Sequence, residues 1–238
     1  MQIRSAALTD IGKVRRENED RFLCDDALGL YAVADGIGGL PGGAEAAQLT
    51  VTNLRAAIAA APPGSLPDLA HLTQRLNEAV FQLAWQISPL GLGTTLTFAL
   101  LRDAHLRLAH VGDSRCYLLR DKKLTCLTTD HTVENELRAS HAAERIIFYD
   151  EAQRKALTRC IGQQGPVEPD FSRHPLREGD RCLFCTDGIT KAIDDAALAA
   201  ALAADAPPAA ILPNLIALAN DRGGGDNATG VLVFVDAA

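Results

Sequence analysis

Four short apolar runs of this chain each lie next to a different aspartate, and each of these aspartates has a glycine close beside it. The four residues are Asp35, Asp113, Asp187 and Asp226. Runs of this length that contain β-branched or aromatic residues and are bounded by glycine predict buried strands. An acid at the tip of a buried strand must face water, a cation or a donor, because its desolvation alone is costly. Asp35-Gly36 taken alone is typical of a turn, but four such acids predict strand ends that converge on one pocket.

Grouped carboxylates of this kind predict a metal site, because a divalent cation compensates the repulsion between them. Oxygen donors without His or Cys at matching spacing favour hard ions such as Mg²⁺ or Mn²⁺ over Zn²⁺. Arg15 lies near the acids, and its guanidinium beside a metal site suits a phosphoryl group. A salt bridge from Arg15 to Glu17 or Glu19 is the alternative.

The order of the predicted elements favours an α+β fold. The elements are a strand at 2–8, a hairpin of strands at 21–24 and 29–34, helices at 44–60 and from Ser65 to Ile87, an antiparallel meander over 94–127, a strand at 181–186, helices at 194–204 and 208–220, and a strand at 231–235. This order lacks the strict alternation of a doubly wound parallel sheet. We therefore expect a four-layer α-β-β-α sandwich, with two central antiparallel sheets flanked by helix pairs, in a single domain of residues 1–238.

Two segments carry more detailed predictions. Ser65 is expected to cap the second helix, with Pro67 and Asp68 in its first turn. Residues 131–160 are polar and irregular, and we expect them to form a flap with short helices at 133–141 and 151–158.

Composition restricts the function classes. The 238 residues carry a formal net charge of -7 with scattered Lys and Arg, which argues against nucleic acid and against a polybasic membrane contact. No apolar stretch approaches the ~18 residues of a membrane span, and the N-terminus lacks the apolar core of a signal peptide. We expect a cytoplasmic monomer without membrane insertion. The six cysteines stand mostly in apolar strand-like runs and are expected to be buried free thiols. A metal or redox role for Cys182 and Cys185 is not expected, because no second pair or His stands at zinc spacing.

Seven ordered motifs resemble the metal-dependent protein serine/threonine phosphatases, the type 2C or PPM family, in its small bacterial form. The motifs are Gly12 to Asp20, Asp35-Gly36-Ile37-Gly38-Gly39, Gly93-Thr94-Thr95, Val111-Gly112-Asp113-Ser114-Arg115, Thr129-Asp130-His131, Cys185-Thr186-Asp187-Gly188 and Asp226-Asn227-Ala228-Thr229. They follow the family's order over most of the chain. The resemblance implies hydrolysis of phosphoserine and phosphothreonine by a water molecule that a binuclear metal site activates.

The resemblance also implies a set of metal ligands. Asp35 would bridge two ions, Mn²⁺ or Mg²⁺, and the carbonyl of Gly36 would bind one of them. Asp187 and Asp226 would complete the binuclear site. Asp113, together with Asp187, matches the position that holds a weaker third ion in bacterial members.

Further roles follow from the same resemblance. Glu19 and Asp20 would lie in the water-bridged shell around the ions, and Arg15 would bind the substrate phosphate. His131 is expected to orient a loop by hydrogen bonds. The implied partners are phosphorylated proteins and a cognate serine/threonine kinase.

Three positions depart from the family pattern. Ile37 stands where some eukaryotic relatives have a general-acid His, Leu40 where bacterial relatives have a His, and Lys155 where an Asn is common. Leaving-group protonation therefore has no assigned side chain, and a metal-coordinated water is our expectation. Two alternatives stay open: a catalytically silent sensor or binding module on the same fold, and a metal phosphoesterase that acts on small molecules.

Overall fold

Two five-stranded antiparallel sheets form the centre of the protein. The computed structural model describes residues 2–37, 42–62, 65, 67–88 and 91–236. The strands are β1 (Gln2–Asp10), β2 (Asp20–Asp25), β3 (Leu30–Asp35), β4 (Leu96–Arg102), β5 (His105–Val111), β6 (Arg115–Arg120), β7 (Lys123–Cys126), β8 (Asp170–Pro175), β9 (Arg181–Cys185) and β10 (Ala228–Asp236). The first sheet has the order β1-β10-β9-β6-β7, and the second has the order β2-β3-β4-β5-β8.

The helices lie outside the two sheets or in the connections between strands. They are α1 (Gly43–Ala59), α2 (Leu69–Ile87), α3 (Val133–Ala139), α4 (Glu151–Lys155), α5 (Asp187–Thr190), α6 (Asp195–Leu202) and α7 (Pro208–Asp221), with a 3₁₀ helix at Ala143–Phe148. The apolar faces of α1 and α2 pack on the second sheet, and those of α6 and α7 pack on the first. The predicted four-layer sandwich is therefore confirmed. Within the described residues, no helix is both long and apolar enough to cross a membrane.

Alternation along the strands determines which layer each side chain enters. In β3, Tyr31 and Val33 pack between the sheets, whereas Ala32 packs against the helices. The same period of two directs Asp35, the last residue of β3, towards the space between the sheets. Asp20 pairs directly opposite Asp35 in the register of β2 and β3. Both carboxylates therefore lie on the inner face at one end of the sandwich.

The predicted meander over 94–127 is wrong in one respect, because it is divided between the two sheets. β4 pairs with β5 and β6 pairs with β7, but β5 belongs to the second sheet and β6 to the first. The turn Gly112-Asp113-Ser114 connects them, and such a turn is also typical of a hairpin. The sequence also fails to predict β8, whose residues are exposed or only half-buried and include Arg173 and His174.

Several helix boundaries differ from the predictions. Asp68 caps α2, since its carboxylate accepts hydrogen bonds from the backbone N–H groups of Ala70 (2.9 Å) and His71 (3.1 Å). Ser65 instead donates to the carbonyl of Pro62 at 2.7 Å, so the prediction that Ser65 is the cap is wrong. The helices predicted at 133–141 and 151–158 end earlier, at 139 and 155.

The six cysteines are free, as expected, and all of them lie in the described part of the chain. The expectation that they are buried holds for three of them, whereas two are half-buried and Cys126 is exposed. The predicted glycine turn extends to Gly38 and Gly39, and Leu40 follows it. These three residues, like Pro63 and Gly64 at the predicted end of the first helix, lie outside the described residues.

We predict that Gly112→Ala lowers the free energy of unfolding by about 2–6 kcal/mol, because strain at positive φ and overpacking each cost about 1–3 kcal/mol. Gly112 has a φ of +108°, and a Cβ there would lie 2.6 Å from Cγ2 of Thr95. Urea unfolding of the metal-free protein measures the change.

The matched control is Gly179→Ala. Gly179 also has a positive φ, +86°, but a Cβ there meets no described atom within 4 Å. Gly179→Ala should therefore lower the free energy of unfolding only by the cost of left-handed strain, about 1–2 kcal/mol. Equal losses in the two variants would contradict the close approach of the Gly112 turn to β4.

Candidate active site

One cavity of about 270 Å³ gathers the predicted site residues at one end of the two sheets. Its lining includes Arg15, Glu19, Asp35, Gly36, Asp113, Asp187 and Asp226. Asp20 lies behind this lining, 1% exposed and opposite Asp35 in the sheet. The structure therefore brings together the eight residues that were predicted, although the role of each one stays a prediction.

The turn that carries Asp35 is held to the start of β4. The backbone carbonyl of Asp35 accepts hydrogen bonds from the N–H of Thr95 and the hydroxyl of Thr94, both at 2.8 Å. Gly36 follows where no side chain fits, since a Cβ would lie 2.4 Å from the carbonyl oxygen of Gly43. Burial, and then the nearby charge of Asp20, raise the pKa of the Asp35 carboxyl well above its ordinary value.

Asp20 connects the two sheets below the cavity. Its Oδ2 accepts a hydrogen bond of 2.7 Å from the hydroxyl of Thr186, which directly follows β9 of the other sheet. Its Oδ1 is buried and has no hydrogen-bond partner among the described residues. Burial raises the pKa of Asp20 to about 6, although hydrogen bonds from Thr186 and Thr229 oppose the shift.

Asp187 and Asp226 share one cation. Nζ of Lys191 lies 2.5 Å from Oδ2 of Asp187 and 3.0 Å from Oδ2 of Asp226. Nη2 of Arg15 lies 2.8 Å from Oδ1 of Asp226, and Nη1 lies 3.9 Å from Glu19. Burial raises the pKa of Asp187 in spite of Lys191. Burial acts in the same direction on Asp226, but Lys191 and Arg15 outweigh it and lower the pKa of that carboxyl.

Asp113 lies in the turn that crosses between the sheets. The next residue, Ser114, shares a buried hydrogen bond of 2.7 Å with the hydroxyl of Thr95. The turn that carries Asp113 is thereby connected to the turn that carries Asp35. Burial, followed by the charge of Asp187, raises the pKa of Asp113 to about 7.

Asn227 is a positioning residue to which sequence reasoning gave no role. Its amide nitrogen donates to the carbonyls of Ile11 (2.9 Å) and Glu17 (3.0 Å), and its Oδ1 accepts from the N–H of Glu19 at 2.9 Å. The side chain thus fastens the loop that carries Arg15 and Glu19 to the start of β10. The sequence contained one indication of this role, because Asn227 directly follows Asp226 in the last of the seven motifs.

His131 has the surroundings of a structural residue, as expected. It is 4% exposed, and its Nδ1 accepts a hydrogen bond of 3.1 Å from the N–H of Gly112. Nε2 lies 3.2 Å from both Asp170 and Arg159. These contacts hold the segment after β7 against the turn that carries Asp113.

The donor set fits a hard divalent ion, although the acids are paired with Lys191 and Arg15. Within the described residues, no group of three or more His, Cys, Asp or Glu side chains is arranged to hold an ion. Two carboxylate oxygens, Oδ1 of Asp20 and Oδ1 of Asp187, are nevertheless buried without a hydrogen-bond partner in that part of the chain. Unsatisfied anionic oxygens of this kind are what Mg²⁺ or Mn²⁺ would neutralise.

Comparison with known proteins agrees with this geometry. Protein phosphatase PhpP of Streptococcus pneumoniae is 31% identical over 236 residues, which are 96% of each chain. The S. agalactiae serine/threonine phosphatase superimposes with a TM-score of 0.89 at 32% identity, over 99% of this chain and 100% of that one. The catalytic domain of the serine/threonine protein phosphatase PstP in complex with two manganese ions superimposes with a TM-score of 0.84 at 33% identity, over 99% of both chains.

The sequence profile described as protein phosphatase 2C matches residues 14–209. This range contains every predicted site residue except Asp226, which the structural comparisons cover. The chain therefore belongs to the protein phosphatase 2C family.

Proposed function

We propose that this chain is a metal-dependent protein serine/threonine phosphatase that hydrolyses phosphoserine and phosphothreonine in proteins. The observation that carries the proposal is the cavity in which Arg15 meets the acids Asp35, Asp113, Asp187 and Asp226. The family membership supports it, as do the relatives named protein phosphatase and the manganese ions bound by PstP.

The residues proposed to hold the metal are Asp35, the carbonyl of Gly36, Asp187 and Asp226. They would bind two ions, Mn²⁺ or Mg²⁺, and Asp113 with Asp187 would bind a third. The chemistry that such ions supply when bound is activation of a water molecule and compensation of the negative charge on the phosphoryl oxygens.

The remaining site residues prepare the cavity for substrate. Arg15, whose side chain is 36% exposed, is proposed to bind the phosphate by exchanging its contact with Asp226 for phosphate oxygens. Asn227 keeps the Arg15 loop in place for this contact. Glu19 and Asp20 are proposed to order water around the ions, since Glu19 lines the cavity and Asp20 lies behind that lining.

The biological setting is proposed from the same family. The substrates would be proteins phosphorylated by a cognate serine/threonine kinase, and the working unit a monomer with one domain over 1–238. The segment 131–160 would act as a flap, because Lys155 and Leu157 of this region line the cavity. Six free cysteines favour a reducing compartment such as the cytoplasm.

The decisive test is release of phosphate from a phosphothreonine peptide. We expect hydrolysis with Mn²⁺, loss of hydrolysis with EDTA, and a kcat lower by about 100-fold or more in Asp35→Asn, because a metal contributes several kcal/mol to such a step. The matched control Asp205→Asn removes an exposed acid and should leave kcat unchanged.

The alternatives give different results in the same assay. Hydrolysis of small phosphate esters without any hydrolysis of phosphopeptides would identify a small-molecule phosphoesterase. Binding of Mn²⁺ without hydrolysis of either substrate class would identify a silent module. Activity that is insensitive to EDTA, or fully retained in Asp35→Asn, would falsify the proposed metal chemistry.

Arg15→Ala tests the phosphate contact. We expect KM to rise about tenfold and kcat to fall by less than about threefold, because Arg15 mainly binds ground-state phosphate. Steady-state kinetics on the phosphopeptide measures both constants. Arg16→Ala, which removes the neighbouring exposed arginine, should change neither. An unchanged KM in Arg15→Ala would reject the role.

Stability of the metal-free protein should fall as the pH rises from about 5 to about 8. The folded-state pKa of Asp113 is about 7, raised from 3.8, so the folded protein binds a proton that the unfolded chain has lost in this range. The free energy of unfolding then decreases with pH. Urea unfolding in EDTA at several pH values measures this decrease.

Asp113→Asn isolates the contribution of this one residue. The asparagine does not titrate, so the decline in stability with pH should be smaller than in the wild type. A decline of equal size in the two proteins would show that Asp113 does not hold its proton in the folded state.

A further inference from the structure

Lys191 holds the same carboxylates that the proposed metal ions need. Its Nζ contacts Oδ2 of Asp187 at 2.5 Å and Oδ2 of Asp226 at 3.0 Å. Arg15 contacts the other oxygen of Asp226, Oδ1, at 2.8 Å. The ammonium therefore lies between two acids from different elements, one on α5 and one in the loop before β10.

The local sequence places Lys191 in this position. Lys191 follows Asp187 by four residues, and the N–H of Lys191 donates to the carbonyl of Asp187 at 2.7 Å. Residues four apart on a helical turn share one face, so the two side chains meet. The side chain of Lys191 is 49% exposed, so its ammonium can move into water without crossing the core.

We propose that Lys191 is a built-in competitor for the metal, which must displace the lysine ammonium from Asp187 and Asp226 in order to bind. The inference rests on the metal site of the proposed function. The ammonium occupies acceptor sites on the Oδ2 atoms of Asp187 and Asp226, and even after it is displaced its charge repels a divalent ion nearby. Lys191 would therefore weaken metal binding and raise the metal concentration at which the site fills.

Lys155 provides a matched control. It lines the same cavity, and its Nζ contacts Oε1 of Glu151 at 2.6 Å, again four residues apart. Its side chain is 60% exposed, close to the exposure of Lys191. Glu151 is not a proposed metal ligand. Removing the charge of Lys155 therefore changes the electrostatic potential in the cavity but leaves the proposed metal ligands with the same partners.

The experiment measures binding of Mn²⁺ to the metal-free full chain, from the electron paramagnetic resonance signal of free Mn²⁺. We expect Lys191→Met to lower the Kd for Mn²⁺ by about tenfold, because two charge-assisted contacts no longer compete. Lys155→Met should change the Kd by less than about twofold. Lys191→Arg keeps the charge and should bind Mn²⁺ as the wild type does. Lys191→Gln repeats the neutralisation in case the methionine variant folds poorly.

Each outcome either supports or overturns the inference. An unchanged or higher Kd in the neutral Lys191 variants overturns it, and so does an equal decrease in Lys155→Met. Mn²⁺ binding by Asp35→Asn distinguishes a failure of the Lys191 inference from a failure of the proposed metal site. If the wild type binds no Mn²⁺, or Asp35→Asn binds it equally well, the metal site itself is wrong and the inference is lost with it. If Asp35→Asn loses binding while Lys191→Met matches the wild type, only the competition is wrong.

Discussion

The site depends on the packing of the two sheets against each other. Tyr31 of β3 and Phe184 of β9 are fully buried between them, with ring centroids 6.4 Å apart. Because these residues must face inwards, the period of two along each strand determines where the residues at the strand ends point. Asp35 and Thr186 follow at the ends of those same strands. Apolar packing thus directs polar groups of both sheets towards one end of the sandwich.

That arrangement gathers negative charge, and the chain compensates it only in part. Lys191 and Arg15 pair with Asp187 and Asp226, but Asp35 is left among acids, and burial raises its pKa well above the ordinary value. Like charges in a partly buried site repel strongly because little water screens them. Under the proposed function, a divalent cation or a phosphate would bind at this site in place of the internal partners.

The sequence predicted the layers and the positions of the acids, because both follow from local patterns. Strand alternation and the Asp-Gly motifs can be recognised without knowing which strands pair. The division of the predicted meander at Gly112 could not be recognised, because a short glycine turn serves a hairpin and a sheet crossing equally well. The contact of Lys191 with Asp226 could not be predicted because the two residues are 35 positions apart, whereas its contact with Asp187, four residues away, was within reach of local sequence reasoning.

The hydrogen bonds around the cavity explain why its acids depend on one another. Asp20 of the second sheet accepts from Thr186 of the first, and Ser114, at the crossing between the sheets, bonds Thr95 beside β4. The proposed metal ligands likewise come from both sheets, with Asp35 on one and Asp187 after a strand of the other. A cation bound by both acids would add a connection between the sheets. Metal binding and the association of the sheets should therefore stabilise each other, since a ligand that binds only the folded state stabilises it.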